Sequence, residues 1–314
     1  MSAIIPTGYQ NIQTVDSFNE LVNLALRTLQ SANSPRVYQQ TYNLWRAYCD
    51  EHGVSPMDMH PGRVIDFLGN QDTTKATRQR QLSALRKLAQ MAFILTTDDN
   101  TRRMYEALKI IKAPAPGENA VAQERTRRAL TPAQADKMLR QWDGERLMAV
   151  RNRALVAVLL LGGIRRSEAA VLRWSDVDFE NGILHIRHGK GDKSRDVPLA
   201  GEYALDALRA WQMAQPSDYQ CVFIPVERGD NIGKDKPISG TDVYRIWVAT
   251  AEAADVESKP HDARRTFITE ALATGTPIST VQAAVGHSRG ETTLRYAQSV
   301  DARRARKELK LRYG

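Results

Sequence analysis

Cysteine is scarce: the 314 residues contain only Cys49 and Cys221, far apart and without metal-ligand spacing. That argues against a disulfide framework or a zinc site and fits a reducing compartment. Long apolar runs are missing too. The longest, Ala154 to Leu161, falls well short of the roughly 20 residues that a membrane-crossing helix needs. The start, Met1-Ser2-Ala3-Ile4-Ile5-Pro6, lacks the basic region and apolar stretch of a secretory signal. There is no Gly-x-x-x-x-Gly-Lys-Ser/Thr loop, and Gly189-Lys190-Gly191 lacks the third glycine of a dinucleotide fingerprint. No His/Asp/Glu cluster has the spacing of a catalytic metal site. The expectation is a soluble cytoplasmic protein that uses no metal or cofactor and meets no membrane.

What is present is basic and globular. Hydrophobic residues make up 42% of the chain and the formal net charge is +8, which suits an anionic partner, nucleic acid being the commonest. The length allows two domains with separate cores.

Residues 1–112 read as an all-α bundle. Ser17-Phe18-Asn19-Glu20 has the form of a capping box, and Phe18, Leu21, Val22, Ala25 and Leu29 follow at helical spacing. Ser34-Pro35 opens a second helix with the stripe Tyr38, Thr41, Tyr42, Trp45 and Tyr48, closed by Gly53. Further helices are predicted from Pro61, from about Thr77 through Leu82, Leu85 and Leu88, and around Met104, Leu108 and Ile111. The helix from Thr77 carries Arg78, Arg80, Arg86 and Lys87, which either form a solvated face or bind phosphates. Residues 113–128, rich in Pro, Gly and Ala, read as a linker with a reach on the order of 50 Å, enough for two domains to flank a duplex.

Residues 129–314 read as a second, α+β domain, so the chain is expected to be mainly α with a small antiparallel β-sheet. Thr131-Pro132 is a cap and first-turn pair, and an apolar helix spans about 146–161 before Gly162-Gly163. Between Val177 and Leu199 the period shortens to two, with Asn181-Gly182 as a hairpin turn and Gly189-Lys190-Gly191-Asp192-Lys193 as another. Helices are predicted at about 200–214, 241–254, 261–274 and 277–285, followed by a short segment that carries Tyr296.

Breaking and rejoining a phosphodiester without metal or nucleotide needs three things. A nucleophile must attack phosphorus, cations must neutralise the non-bridging oxygens, and an acid must protonate the leaving oxygen. A tyrosine can attack and form a covalent intermediate. Arginine pairs with phosphate through a planar fork, and lysine or histidine can supply the proton. Candidates occur in the order Arg165, Lys190, His261, Arg264, His287, Tyr296, and His261 and Arg264 share a helix face. Taken singly, each also has a plain reading: a surface ion-pair partner, a turn lysine, a helix-capping histidine, a packed tyrosine.

As a set they resemble the tyrosine recombinase (phage integrase) family, including its Xer- and Cre-like members. The resemblance rests on four blocks in order: Gly162-Gly163-Ile164-Arg165-Arg166-Ser167-Glu168; Gly189-Lys190-Gly191-Asp192-Lys193-Ser194-Arg195-Asp196-Val197-Pro198-Leu199; His261 to Arg264; and Gly286-His287 with Tyr296 nine residues on. It implies a catalytic domain over about 128–300 behind a helical core-binding domain. It further implies Tyr296 as the nucleophile that forms a 3′-phosphotyrosyl link. Arg165 and Arg264 would grip the scissile phosphate, and Lys190, with Lys193 as its rival, would protonate the 5′-oxygen. His261 would assist proton transfer, His287 would bond the phosphate, and Glu168 would orient the site from behind. Neither ATP nor metal is implied. The implied partners are duplex DNA with paired inverted recognition sites and three further copies of the chain. The protein would be a monomer when free and a homotetramer on DNA, with the tail 301–314 docking on a neighbour. The sequence departs from the family pattern at Ile164, Arg265 and Gln298, none of which removes a catalytic group. Two other readings remain open: a topoisomerase of the same nucleophile type, and a catalytically idle DNA-binding regulator.

Overall fold

The computed structural model describes residues 18–29, 34–96, 98–115, 129–187, 194–286, 293–294 and 296–297. The chain divides into two compact units, 1–127 and 128–314.

In the first unit, apolar residues three and four apart give each helix one face to bury. Helix α1 (Phe18–Arg27) buries Phe18, Leu21, Val22 and Ala25, and α2 (Ser34–Glu51) buries Tyr42, Trp45 and Cys49. Helix α3 (Pro61–Gly69) starts on a proline whose missing N–H costs nothing there, and the His60 ring accepts from the Gly62 amide at 3.2 Å. Helix α4 (Lys75–Thr96) begins two residues before the expected start. It supplies Leu82, Leu85, Leu88 and Ala89 to the shared core. Helix α5 (Asp99–Ile110) is capped by Asp98, which accepts from the Asn100 and Thr101 amides at 2.9 and 3.0 Å. The Ser17 cap expected for α1 lies outside the described residues, as does most of the linker expected at 113–128. Of that stretch, Ala113 packs on the core of the first unit and the Ala115 carbonyl accepts from Arg78.

The second unit is built around α7 (Leu147–Gly162), which buries nearly every residue from Val150 to Leu160. A helix apolar all round belongs in the centre of a core, and α6 (Pro132–Leu139), α9 (Glu202–Met213), α10 (Gly240–Ala253) and α11 (Pro260–Ala273) surround it. Its first amides, Leu147 and Met148, donate to the Asp230 carboxylate at 2.8 and 2.9 Å. Asp230 stands in the turn of a two-stranded hairpin, β4 (Val226–Glu227) with β5 (Asn231–Ile232), and its φ of 64° aims the carboxylate. This pair of strands was not anticipated from the sequence. The other sheet has the antiparallel order β1 (Val177–Asp178), β2 (Ile183–Ile186), β3 (Arg195–Pro198). Leu184 pairs with Val197 and Ile186 with Arg195, so those four residues share the inward face. His185 and Asp196 pair on the outward face, 2.8 Å apart. The fold is thus mainly helical, with small antiparallel sheets, as expected.

Candidate active site

Two left-handed glycines frame the site. Helix α7 ends at Gly163 (φ 60°) and α12 (Ile278–Val285) ends at Gly286 (φ 62°). Side chains with a Cβ rarely adopt this conformation. A Cβ on Gly163 would also lie 2.6 Å from the Phe267 ring. Both caps leave backbone carbonyls pointing outward, because the last carbonyls of a helix have no partner within it.

Arginines take up those carbonyls. At the end of α12 three consecutive residues serve three different guanidinium groups: the Ala284 carbonyl accepts from Arg195 Nε at 2.9 Å, Val285 from Arg264 Nη2, and Gly286 from Arg165 Nη2 at 3.2 Å. Arg264 Nη1 reaches the Gly163 carbonyl at 3.0 Å, linking the two caps. The negative end of a helix dipole favours such cations.

The anion at the centre is Glu168. Helix α8 (Arg166–Ala170) holds it at the third position, where Oε2 caps the Arg165 amide at 2.8 Å and Oε1 accepts from Arg165 Nη1 at 2.7 Å. Arg195 grips both oxygens with its fork, at 3.0 and 2.7 Å. Glu168 is 5% exposed and Arg264 2%. Burial opposes the charge on Glu168, but hydrogen bonds from Arg195 and Arg165 outweigh it and hold the carboxyl below its ordinary range. Burial first, then the Arg165 charge, draws the Arg264 guanidinium down to about 9, which leaves it cationic at neutral pH. Tyr296 is near enough for its charge to act on Arg264 in the opposite sense. Tyr296 is half-buried and packs against the small apolar cluster formed by Ile268, Leu272, Val281, Val285 and Ala297.

His261 occupies the first turn of α11 with its ring at the surface. Partial burial, then the Arg265 and Arg264 charges, hold its pKa below the ordinary imidazole value, which keeps it neutral and able to accept a proton. Of the predicted site residues, the structure therefore gathers Arg165, Glu168, Arg264 and Tyr296, with His261 at the rim. Lys190, Lys193 and His287 lie outside the described residues. Among the described residues no group of His, Cys, Asp or Glu could hold a metal ion, and no helix is long and apolar enough to cross a membrane.

The predicted basic face of α4 looks different in the structure. Arg78 is buried and donates to the carbonyls of Gln71, at 2.6 Å, and Ala115. Arg86 donates to the carbonyls of Leu108 at 2.7 Å and Ile111 at 2.6 Å, at the end of α5. The physical reason is helical phase: 78 and 86 stand beside Leu82 and Leu85 on the packed side, whereas Arg80 is exposed. Lys87 is half-buried, with Nζ 3.3 Å from Gln90 Oε1, and burial lowers its pKa.

A model of the phage integrase family matches residues 128–303. The chain belongs to the phage integrase family. Tyrosine recombinase XerA of Thermococcus kodakarensis is 32% identical over 181 residues, covering 56% of this chain and 62% of that protein. XerA of Thermococcus onnurineus is 28% identical over 263 residues, covering 81% of this chain and 89% of that one. The aligned stretch thus spans less than two thirds of the first relative and most of the second. Among solved structures, XerH bound to a palindromic difH substrate in a post-cleavage complex matches with a TM-score of 0.64 at 20% identity, covering 96% of this chain and 91% of that one. A lambda integrase dimer bound to a COC′ core site matches with a TM-score of 0.61 at 14% identity, covering 89% and 93%. At these identities the likeness is one of fold. The arginine cluster lies within the residues that the family model matches.

Arg195 is the member of the cluster that the sequence reading gave no role. A signal was present. Arg195, Val197 and Leu199 have the same parity along a predicted strand, so an arginine sat on the apolar side and had to find a buried acid.

Proposed function

We propose that the protein is a site-specific recombinase that cuts and rejoins duplex DNA through a 3′-phosphotyrosyl intermediate. The observation that carries this reading is the socket of Glu168 and α12 carbonyls that holds Arg165 and Arg264 beside Tyr296. In each of these two guanidinium groups, two of the five N–H donors are tied to the protein by the bonds described, so others remain for phosphate oxygens.

The Tyr296 phenolic oxygen attacks phosphorus, a tyrosyl O–P bond forms and the P–O5′ bond breaks. His261, held neutral, takes up the phenolic proton, and Lys190 gives a proton to the departing 5′-oxygen. Arg165 and Arg264 neutralise the non-bridging oxygens as charge builds, with His287 as a further donor. Attack by a 5′-hydroxyl reverses the step on a new strand. The bond energy is kept in the phosphotyrosine, so no nucleotide is consumed. The DNA partner carries paired inverted sites, and four copies of the chain assemble on it. Arg80, Lys87 and Lys193 contribute phosphate contacts away from the cut.

The test is a nicked suicide substrate prepared from DNA flanking the protein's own gene. A covalent protein–DNA band that survives denaturation, and that Tyr296→Phe abolishes, is the expected result. Relaxation of supercoiled DNA of arbitrary sequence, with no preference for that site, would favour the topoisomerase reading instead.

A further inference from the structure

Arg195 has no task in the strand-transfer chemistry, yet it makes three bonds into the site: Nε to the Ala284 carbonyl, and Nη1 and Nη2 to the two Glu168 oxygens. Its side chain is only 9% exposed. Burying an ion pair is a weak way to gain stability, because an apolar side chain of similar volume often does as well. Geometry gives a better reason for the choice of residue. A lysine could meet one Glu168 oxygen, whereas the guanidinium fork meets both and still has an edge N–H for Ala284.

Resting on the recombinase reading, we infer that Arg195 is a positioning residue that fixes Glu168 and the end of α12 so that Arg165 and Arg264 are aimed before DNA arrives. The three carbonyls at the end of α12 are consecutive, so a shift at Ala284 moves the supports of Arg264 and Arg165 with it. Gly286 belongs to the same device, because a Cβ there would lie 2.8 Å from Arg195 Cδ. Strand β3 packs on α12, so Arg195 also connects the β2–β3 strand pair to the helix that precedes Tyr296 in the chain. Losing such a support typically lowers activity about 10- to 100-fold while the reacting groups remain.

Single-turnover cleavage of the suicide substrate at saturating protein tests this, with site affinity measured separately by gel shift. Arg195→Met is expected to bind its site as the wild type does and to cleave about 10- to 100-fold more slowly. Its rate should fall further on acidification than the wild-type rate does. Glu168 loses the contact that most favours its charged form, so its carboxyl titrates higher, and a protonated Glu168 no longer supports Arg165. Among the described residues, the charged groups around Glu168 are Arg165 from its own turn, Arg195 from β3 and Arg264 from α11. Arg173, Asp176, His185 and Arg187 share a cavity of about 260 Å³ with it. His185→Gln therefore serves as the control for the imidazole that lines that cavity. Arg195→Lys should restore part of the acid limb and less of the rate. Wild-type rate and pH profile in Arg195→Met would overturn the assignment. So would equal slowing at every pH alongside a lowered melting temperature. Should Arg195→Met not fold, Arg195→Lys with wild-type rate and profile would overturn it equally. If the wild-type protein formed no covalent complex, the recombinase reading itself would fail, which is a different result.

Discussion

Both units use arginine to tie down helix ends, and the contrast lies in what else each arginine meets. In the first unit, Arg86 donates to carbonyls at the end of α5 and Arg78 to the carbonyls of Gln71 and Ala115, and no acidic side chain bonds to either among the contacts described. In the second unit, Arg165 and Arg195 bond helix-end carbonyls in the same way but also share one buried carboxylate. The first arrangement fastens a bundle. The second stores positive charge at a fixed place, because Glu168 offsets the burial of its neighbours while leaving donors free. Charge that is oriented in advance acts most strongly where it develops in a transition state.

Removing the shared acid breaks the comparison most severely. Glu168→Gln leaves Arg165 and Arg195 without their counter-charge, and such a loss costs about 3–5 kcal/mol. Urea unfolding should show it in the second unit, and the suicide-substrate assay should show little covalent complex. The sign with pH follows from the depressed Glu168 carboxyl. Its folded form is ionised below the ordinary glutamate value of about 4.3. The stability it provides is therefore complete above that value and is lost as pH falls through the lower, folded one. Wild-type stability should decline over that acidic window by more than that of Glu168→Gln. Identical acid profiles for the two proteins would show that Glu168 is not held as a buried anion.

The glycine caps offer a smaller perturbation that leaves every charge in place. Gly163→Ala places a Cβ 2.6 Å from the Phe267 ring in a left-handed conformation. The strain is of order 1–3 kcal/mol, and it displaces the carbonyl that receives Arg264 Nη1. Loss of melting temperature together with slower cleavage is the expected outcome. A stability loss with unchanged cleavage would mean that the cap does not aim Arg264.

Much of this was legible in the sequence because periodicity and caps are local. Thr131-Pro132 does open α6, Thr131 and Gln134 form a reciprocal cap, and the apolar stretch from 147 is the central helix. The order of the Arg165, His261–Arg264 and Tyr296 blocks pointed to one site, and the described residues among them do come together. What stayed hidden depends on contacts made over long separations. The Asp230 cap on α7 spans more than 80 positions, and no local pattern announces it. Arg195 was read as part of a motif, although its parity with Val197 marked it as inward-facing. Arg78 and Arg86 were read by charge, when their phase relative to Leu82 and Leu85 already placed them on the packed side of α4.

That last contrast yields the finest test, because it separates two arginines of one helix. Arg86→Ala removes donors from the carbonyls of Leu108 and Ile111. It should destabilise the first unit by about 1–3 kcal/mol, the cost of leaving such groups unsatisfied, with little change in how DNA affinity depends on salt. Arg80→Ala removes an exposed charge. It should leave the urea midpoint unchanged and reduce the slope of log affinity against log salt by about 1, the signature of one lost phosphate contact. If Arg80→Ala left that slope alone while Arg86→Ala reduced it, the scaffold arginine would be the one that touches DNA. The division drawn between fastening and binding arginines in α4 would then be reversed.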